Sequence, residues 1–579
     1  MSELSNLKAA KTLPQLARLL NLNGETLSYA LYWYRRSAPY TYFTVAKKSG
    51  GRRAIAAPNS RLKLVQSRLG QLLARIETDM ELKRTTKSRV LSHGFKAGFS
   101  IVTNAKHHRN KRWVFNVDLK EFFPSINFGR VYGFFLKDRN FELDPKIATI
   151  IAQIACHDNK LPQGSPCSPV ISNLIAHILD IKLNKLANDL HCTYTRYADD
   201  LTFSTNEKHF PEAIARLVRG SDDKWVAGDG LLNLIYRAGF QLNHEKTRMQ
   251  HRDSRQDATG LVVNQKVNVR HEYYKQARAM CHHLFTNGYA YSRTEFAPVS
   301  NDAVEGMMNF IYQIRAVRSP DFTATDPRGF FKSDQPGFSE LYGRLLNYCS
   351  FYGMLRPTII CEGKTDNIYL LAAIKQLAAK FPQLIDPAQK VPMKVQFFNY
   401  SERTALFQGL SGGGDEMYKL MKEFRERMRF FKHGPSKPVI MVVDNDDASK
   451  GIFSYIGTVM GTGPVSGLDP FYYVFENLYV VPVPKVAGTS AIIEDLFDAA
   501  VKKPINGRIF NSSNKKFDLT KYYGKNELAT KIVAPERSSI DFTKFEPMLQ
   551  SFADIIMDYG ARLAAKPAMV PVKNAVAGP

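Results

Sequence analysis

The sequence predicts a multidomain protein that joins an α+β part to an α/β part. Three observations lead there. The chain has 579 residues, more than one hydrophobic core usually serves. Its character changes near Arg356, before which helical patterns alternate with short strand-like pieces among many basic residues. After it, two short apolar runs, in PTIICEGKTD and KPVIMVVDNDD, stop abruptly at acids. Such runs suit buried parallel strands, whose carboxyl ends present ligands in an open sheet.

Composition narrows the class. Hydrophobic residues at 44% and charged residues at 23% fit a folded, soluble protein. No uninterrupted apolar run is long enough to cross a bilayer, so no membrane partner is expected. The opening MSELSNLKAAKTLPQLARLL mixes charges among apolar residues and reads as a short amphipathic helix, not a secretory signal. Six cysteines without a C-x-x-C pair argue against a zinc site or disulfide framework and fit a reducing cytoplasm. The net charge of +25 points to a polyanion partner. Residues 319–337, rich in Pro, Gly and Asp, read as a loop, and 566–579 as a frayed tail.

The first chemical signal is WVFNVDLKEFFPSI, residues 113–126, where an apolar strand delivers Asp118. The second is YADD, residues 197–200, flanked by TYTR and LTFS; it reads as a hairpin with Asp199 and Asp200 at its turn. Phosphoryl transfer to a nucleotide uses two magnesium ions about 4 Å apart, held by carboxylates. Three acids on two strands can supply them.

Further motifs lie in order around these acids. LPQGSPCSPVISNL, residues 161–174, offers a tight Pro-Gly turn, and its small residues allow close backbone approach to a nucleotide. KKSGGRRAIAAP, residues 47–58, is a basic hairpin whose Lys48 and Arg53 could grip a triphosphate. GFQLNHEKTR brings Lys246 to where it could protonate a leaving pyrophosphate.

This series resembles the reverse transcriptase family over roughly residues 40–265. The resemblance implies a right-hand polymerase fold of fingers, palm and thumb, working on dNTPs. It makes Asp118, Asp199 and Asp200 the metal ligands, Phe123 the bulky gate against a ribose 2′-hydroxyl, and Gln163 a residue lining the incoming nucleotide.

Two more stretches resemble the retron reverse transcriptases of bacteria. HGFKAGFSIVTNAKHH, residues 93–108, carries an Asn-Ala-x-x-His signature, read here as Asn104, Ala105 and His107. DATGLVVNQKVNVRHEYYKQAR, residues 257–278, carries Ala258, Thr259 and Gly260 where that group has Val-Thr-Gly, a departure at the first position. The resemblance implies binding of a cognate structured non-coding RNA, priming from the 2′-hydroxyl of an internal guanosine, and synthesis of branched RNA–DNA (msDNA). Tyr273, Tyr274, Lys275 and Arg278 then fall in an RNA-binding thumb. Their mixture suits stacking on nucleotides, and equally an amphipathic helix that packs its tyrosines.

The second half resembles a TOPRIM domain, a Rossmann-like α/β fold. TIICEGKTD carries Glu362, Gly363 and Asp366; VIMVVDNDD carries Asp444 and Asp446. The resemblance implies that Glu362, Asp366, Asp444 and Asp446 bind one or two magnesium ions for phosphodiester chemistry on a nucleic-acid target. Glu494, with Asp495 and Lys525, looks like the extra acid and lysine set of the overcoming-lysogenization-defect nucleases, which implies a further metal ligand in Glu494 and support for the nuclease in Asp495 and Lys525. LSGGGDEMYKL runs a glycine turn into a helix, either a plain helix start or amides for a phosphate.

The expected layout is fingers and palm over 1–265, thumb over 266–350, a TOPRIM effector over 356–565 and a tail over 566–579. The resemblance further implies a cytoplasmic bacterial phage-defence system of toxin–antitoxin type. In it msDNA restrains the effector, and several copies assemble on msDNA. Two alternatives stay open: a group II intron-like maturase or other mobile-element polymerase, and a nucleic-acid-binding scaffold with an inactive TOPRIM domain.

Overall fold

The computed structural model of the chain describes residues 2–33, 39–46, 50–82, 90–292, 297–316, 335–485, 491–512 and 518–565. Lys48, most of the expected 319–337 loop and the expected tail lie outside the described residues. The chain divides into two compact units, residues 1–271 with 313–319, and residues 272–312 with 320–579.

The first unit begins with two helices, where one was expected. Glu3–Ala9 is capped by the Ser2 side chain, which accepts from Ser5 N. Gln15 Oε1 then accepts from Lys11 N and Thr12 N at the head of Leu13–Leu19, whose first turn holds Pro14. A proline has no N–H to carry the preceding helix forward, so the chain breaks and restarts. The basic hairpin pairs Tyr40–Ala46 with Arg52–Pro58 in antiparallel register, Ala46 opposite Arg52. Ser60–Leu82 follows, burying Leu62, Val65, Leu69, Leu72, Leu73 and Ile76 at helical spacing.

A four-stranded sheet forms the centre of this unit. Its order is Thr193–Tyr197, Asp200–Thr205, Trp113–Leu119 and Leu242–His251, every neighbour antiparallel. Phe115 and Val117 point one way into a core with Leu201, Phe203 and Tyr194 and with Leu174, Ile175 and Leu179 of the helix Ser168–Asp189. Burying each such side chain is worth about 1.5–3 kcal/mol. Because side chains alternate across a strand, that burial sends Asn116 and Asp118 to the other face.

The second unit holds a five-stranded sheet in the order Gln396–Phe397, Thr358–Cys361, Val439–Val443, Leu478–Pro482, Tyr472–Phe475. The first four run parallel and the last is antiparallel. Every residue of Thr358–Cys361 and Val439–Val443 is buried, which is why these strands read as unbroken apolar runs. The helix Asp366–Gln376 follows the first of them. Most of the segment expected as a thumb belongs to this unit, through ring contacts such as Phe285–Phe431 at 5.2 Å and Tyr342–Phe407 at 4.8 Å.

All six cysteines are free thiols. Among the described residues no helix is long and apolar enough to cross a membrane.

Candidate active sites

In the first unit the YADD segment makes a two-residue turn. Tyr197 pairs with Asp200 across the hairpin, and Ala198 takes a left-handed φ of 56°. On the neighbouring strand Asp118 stands directly opposite Asp200. The Asp199 carbonyl accepts from Leu119 N at 2.9 Å, which ties the turn to that strand. The expected trio is therefore brought together by backbone register. Loss of solvent, then repulsion from Asp199 and Asp118, pushes the Asp200 carboxyl up to about 7, although part of that side chain still reaches water. Asp199 is raised by burial and by Asp118. Lys246 Nζ donates to Asp118 Oδ2 at 2.8 Å. Burial alone would lower the lysine, but the bond and charge of Asp118, with Asp199 and Asp200, hold it above its ordinary value.

A cavity of about 1280 Å³ opens beside these acids, lined by Arg53, Asp118, Phe123, Gln163, Asp199 and Lys246 among others. Gly164 does come very near another backbone, but that backbone is the chain's own. A Cβ at Gly164, with φ of +127°, would lie 2.5 Å from Ala56 O, and Ala56 N donates to Gln163 O at 2.9 Å. The close approach expected toward a nucleotide thus fastens the Gln163 loop to the basic hairpin.

Sequence reasoning missed Arg196. It is fully buried beneath the turn, with Nε and Nη2 on the two carboxylate oxygens of Asp180 at 2.8 and 2.7 Å. Its Nη1 donates to Ala198 O at 3.0 Å and to Asn173 Oδ1 at 3.1 Å. The available signal was a lone cation at an inward position of an otherwise buried strand, next to Tyr194, whose hydroxyl donates to Asp180 as well.

The two further signatures meet one another. Thr259 Oγ1 donates to Ile101 O at 3.0 Å, joining the Ala258–Thr259–Gly260 corner to the helix Ile101–Ala105. Gly260 is exposed. His107, read as the histidine of the signature, is half-buried, its ring edge-on to His93 at 5.2 Å. The Asn-Ala-x-x-His spacing itself falls on His108, which is fully buried and hydrogen-bonded to Thr195 Oγ1 and Ser204 Oγ at 2.7 and 2.8 Å. Asn104 is fully buried, with neither amide atom hydrogen-bonded to another group. Contact with RNA, expected of it, is therefore closed to its side chain, because its helix turns it into the fold.

In the second unit, Lys275 and Arg278 are exposed on the helix His271–Asn287, while Tyr273 packs edge-on against Phe310 at 5.8 Å. Tyr274 is half-buried beside it.

The acids of the second unit gather at the carboxyl ends of the parallel strands. Glu362 is raised by burial and by Asp446. Asp444, which accepts from Ile493 N at 3.2 Å, is pushed up to about 8 by burial and Glu362. Asp366 is pushed up to about 7 by burial and Glu494. Glu494 is fully buried and lies 3.0 Å from Lys525 Nζ, without the alignment of a hydrogen bond. Burial would lower Lys525, but Glu494 and then Asp444 and Asp366 raise it. Asp446 spends one oxygen capping a short helical turn, accepting from Ala448 N and Ser449 N.

One expectation there is corrected, and one open alternative is decided. Asp495 is exposed and caps its own turn, accepting from Ile492 N at 3.0 Å, because the short helical turn Ile493–Leu496 buries Glu494 and leaves the next residue outward. The amides of the glycine turn are not offered to a phosphate either. Gly413 N and Gly414 N donate to the Glu362 carbonyl and carboxylate at 3.0 and 3.1 Å, and Ser411 N and Gly412 N donate to Glu416.

Comparison with known proteins agrees with the first site. The reverse transcriptase (RNA-dependent DNA polymerase) family matches residues 45–270. Retron Ec86 reverse transcriptase of Escherichia coli is 32% identical over 282 residues, which cover 48% of this chain and 80% of that protein. The chain belongs to the retron reverse transcriptases. Two Myxococcus xanthus relatives extend the likeness. Retron Mx65 reverse transcriptase is 33% identical over 42% of this chain and 55% of its own length, and retron Mx162 reverse transcriptase 32% identical over 43% and 52%. The chain thus spans about half the length of these two relatives. As a retron reverse transcriptase it is an RNA-directed DNA polymerase, and the matched residues contain Asp118, Asp199, Asp200 and the cavity beside them.

Among the described residues no three His, Cys, Asp or Glu side chains are arranged to hold a metal ion as they stand. The donor chemistry nevertheless suits magnesium, which takes hard oxygen ligands. In each unit several carboxylates raise one another, and the counter-charge comes from Lys246 with Arg53 and Arg248 in the first and from Lys525 in the second.

Proposed function

We propose that this retron enzyme copies a cognate structured RNA into branched RNA–DNA, starting from a 2′-hydroxyl of that RNA. The observation that carries the reading is the meeting of Asp118 and Asp199 at one cavity with Lys246 and Arg53, with Asp200 directly opposite Asp118 on the next strand. Asp118, Asp199 and Asp200 would hold magnesium, which when bound activates the attacking hydroxyl and offsets charge on the leaving pyrophosphate. Arg53, exposed on its hairpin, grips the triphosphate, and the same role falls to Lys48. Gln163 lines the nucleotide, and Phe123 excludes a ribose 2′-hydroxyl. Lys246 Nζ, now hydrogen-bonded to Asp118, gives a proton to a pyrophosphate oxygen. Exposed Lys275 and Arg278, with Thr259, Gly260 and His107, select the cognate RNA.

The second unit is, in this reading, a magnesium-dependent TOPRIM nuclease that serves as the effector of an anti-phage, toxin–antitoxin-like system. Branched RNA–DNA restrains it, and copies of the chain assemble on that product. Glu362, Asp366, Asp444 and Glu494, gathered around Lys525, with Asp446 beside Glu362, support this assignment.

The test is to purify the protein from cells that carry the neighbouring RNA and treat the bound nucleic acid with RNase and a debranching enzyme. A 2′–5′ linkage is expected, and it should disappear in Asp199→Asn, Asp200→Asn. Linear DNA alone would overturn the priming reading. Glu362→Ala and Asp444→Ala should abolish toxicity and phage restriction while branched DNA persists; restriction that survives both changes would overturn the effector reading.

A further inference from the structure

Phe95, in the HGFKAGF segment, belongs to none of the roles assigned so far, and its placement is unusual. It is 50% exposed, faces the polymerase cavity, and has a φ of 62°. A bulky residue rarely takes that left-handed conformation, which glycine adopts freely. Such strain persists where surrounding structure over-determines it.

Here both neighbours are pinned. Gly94 lies so near the YADD turn that a Cβ on it would come within 2.6 Å of Ala198 N. Its carbonyl accepts from Asn173 Nδ2 at 2.8 Å, and His93 N donates to Arg196 O at 2.8 Å. On the other side, the buried Lys96 ammonium pairs with Glu77 at 3.0 Å and with Glu81. The backbone between these anchors can turn only one way. It carries the Phe95 ring to 6.0 Å from the Phe123 ring, at an interplanar angle of 52°. Phe122, itself buried, lies edge-on to Phe123 at 5.5 Å. Phe123 therefore contacts two rings, and all three line the cavity.

We propose that Phe95 is a positioning residue for sugar selection: its ring backs Phe123 and fixes the gap that accepts a deoxyribose and refuses a 2′-hydroxyl. The inference rests on the reading of Phe123 as the gate. Aromatic pairs at this separation attract one another beyond their shared burial. Without the Phe95 ring, Phe123 gains room to tilt toward the cavity, and the added hydroxyl of a ribonucleotide is accommodated. Phe95 does not touch the reacting atoms, so losing it changes selectivity more than rate.

Single-nucleotide primer extension by the purified full chain on an annealed RNA template and DNA primer, comparing dGTP with GTP, tests this. Phe95→Gly suits the left-handed backbone, so the variant should fold at least as well as the parent. Its ratio of kcat/KM for dGTP over GTP is expected to fall on the order of tenfold. Phe95→Leu should fall less, and Phe95→Tyr should keep the parental ratio. If Phe95→Gly and Phe95→Leu slow both nucleotides equally, or neither, the proposal is overturned. Phe123→Ala in parallel separates the two claims. If it collapses the ratio while Phe95→Gly does not, only Phe95 loses its role. If Phe123→Ala leaves the ratio unchanged, the gate reading fails and takes this proposal with it.

Discussion

Arg196 Nη1 donates to the carbonyl of Ala198, 3.0 Å away, from a guanidinium fully buried between the sheet and the helix Ser168–Asp189. Asp180 neutralises that cation with both oxygens. The turn that presents Asp199 and Asp200 thus rests on a paired charge inside the core.

Breaking that pair from one side leaves an uncompensated buried charge. Arg196→Met or Asp180→Ala should each cost about 3–5 kcal/mol of stability. Chemical denaturation of each single variant and of the double variant measures it. The double variant should lose less than the sum of the singles, and simple additivity would mean that the two groups are not coupled.

Burial, and then the nearby Asp199 and Asp118, push the Asp200 carboxyl up. Asp200→Asn should therefore raise the melting temperature in chelator, because a repulsion is removed. Magnesium should raise the melting temperature of the parent and have a smaller effect on the variant. Thermal melts with and without the ion decide it; an equal magnesium shift in both proteins would argue that Asp200 is not a ligand.

Glu494 and Lys525 pose the same problem in the second unit, at 3.0 Å with the acid fully buried. Lys525→Met strands the carboxylate among Asp366 and Asp444 and should destabilise by roughly 3 kcal/mol. Adding Glu494→Gln should recover much of that. Equilibrium unfolding followed by tyrosine fluorescence in this unit reads both variants.

Thr259→Val keeps the shape of the side chain and removes its donation to Ile101 O. The expected loss of stability is about 1 kcal/mol. If the corner and the Ile101–Ala105 helix form one RNA-reading surface, affinity for the cognate RNA should fall while affinity for an unrelated RNA of equal length holds. Filter binding with both RNAs distinguishes the outcomes.

Strands and their acids were legible along the chain because they depend on near neighbours. An apolar alternation that ends at Asp118, a two-residue turn before Asp200, and unbroken apolar runs before Glu362 and Asp444 each state their own conformation locally. The basic hairpin, with Arg53 on it, was legible for the same reason. The break between the first two helices was also local, at Pro14, and the amphipathic pattern alone passed over it.

What only the tertiary structure decided is where polar groups end up once distant segments pack. Asp180 and Arg196 meet across sixteen residues, from a helix and a strand whose separate patterns say nothing of each other. Asn104, expected to meet RNA, is turned into the core, and Asp495, expected to support the nuclease acids, is turned out to solvent. Phe95 reads as an ordinary loop residue until the anchors at Gly94 and Lys96 bring it beside Phe123. Backbone hydrogen bonding and side-chain alternation are short-range and are written in consecutive residues. Burial of a charge or the aim of a ring depends on which remote surfaces close around it, and that is settled only when the chain folds.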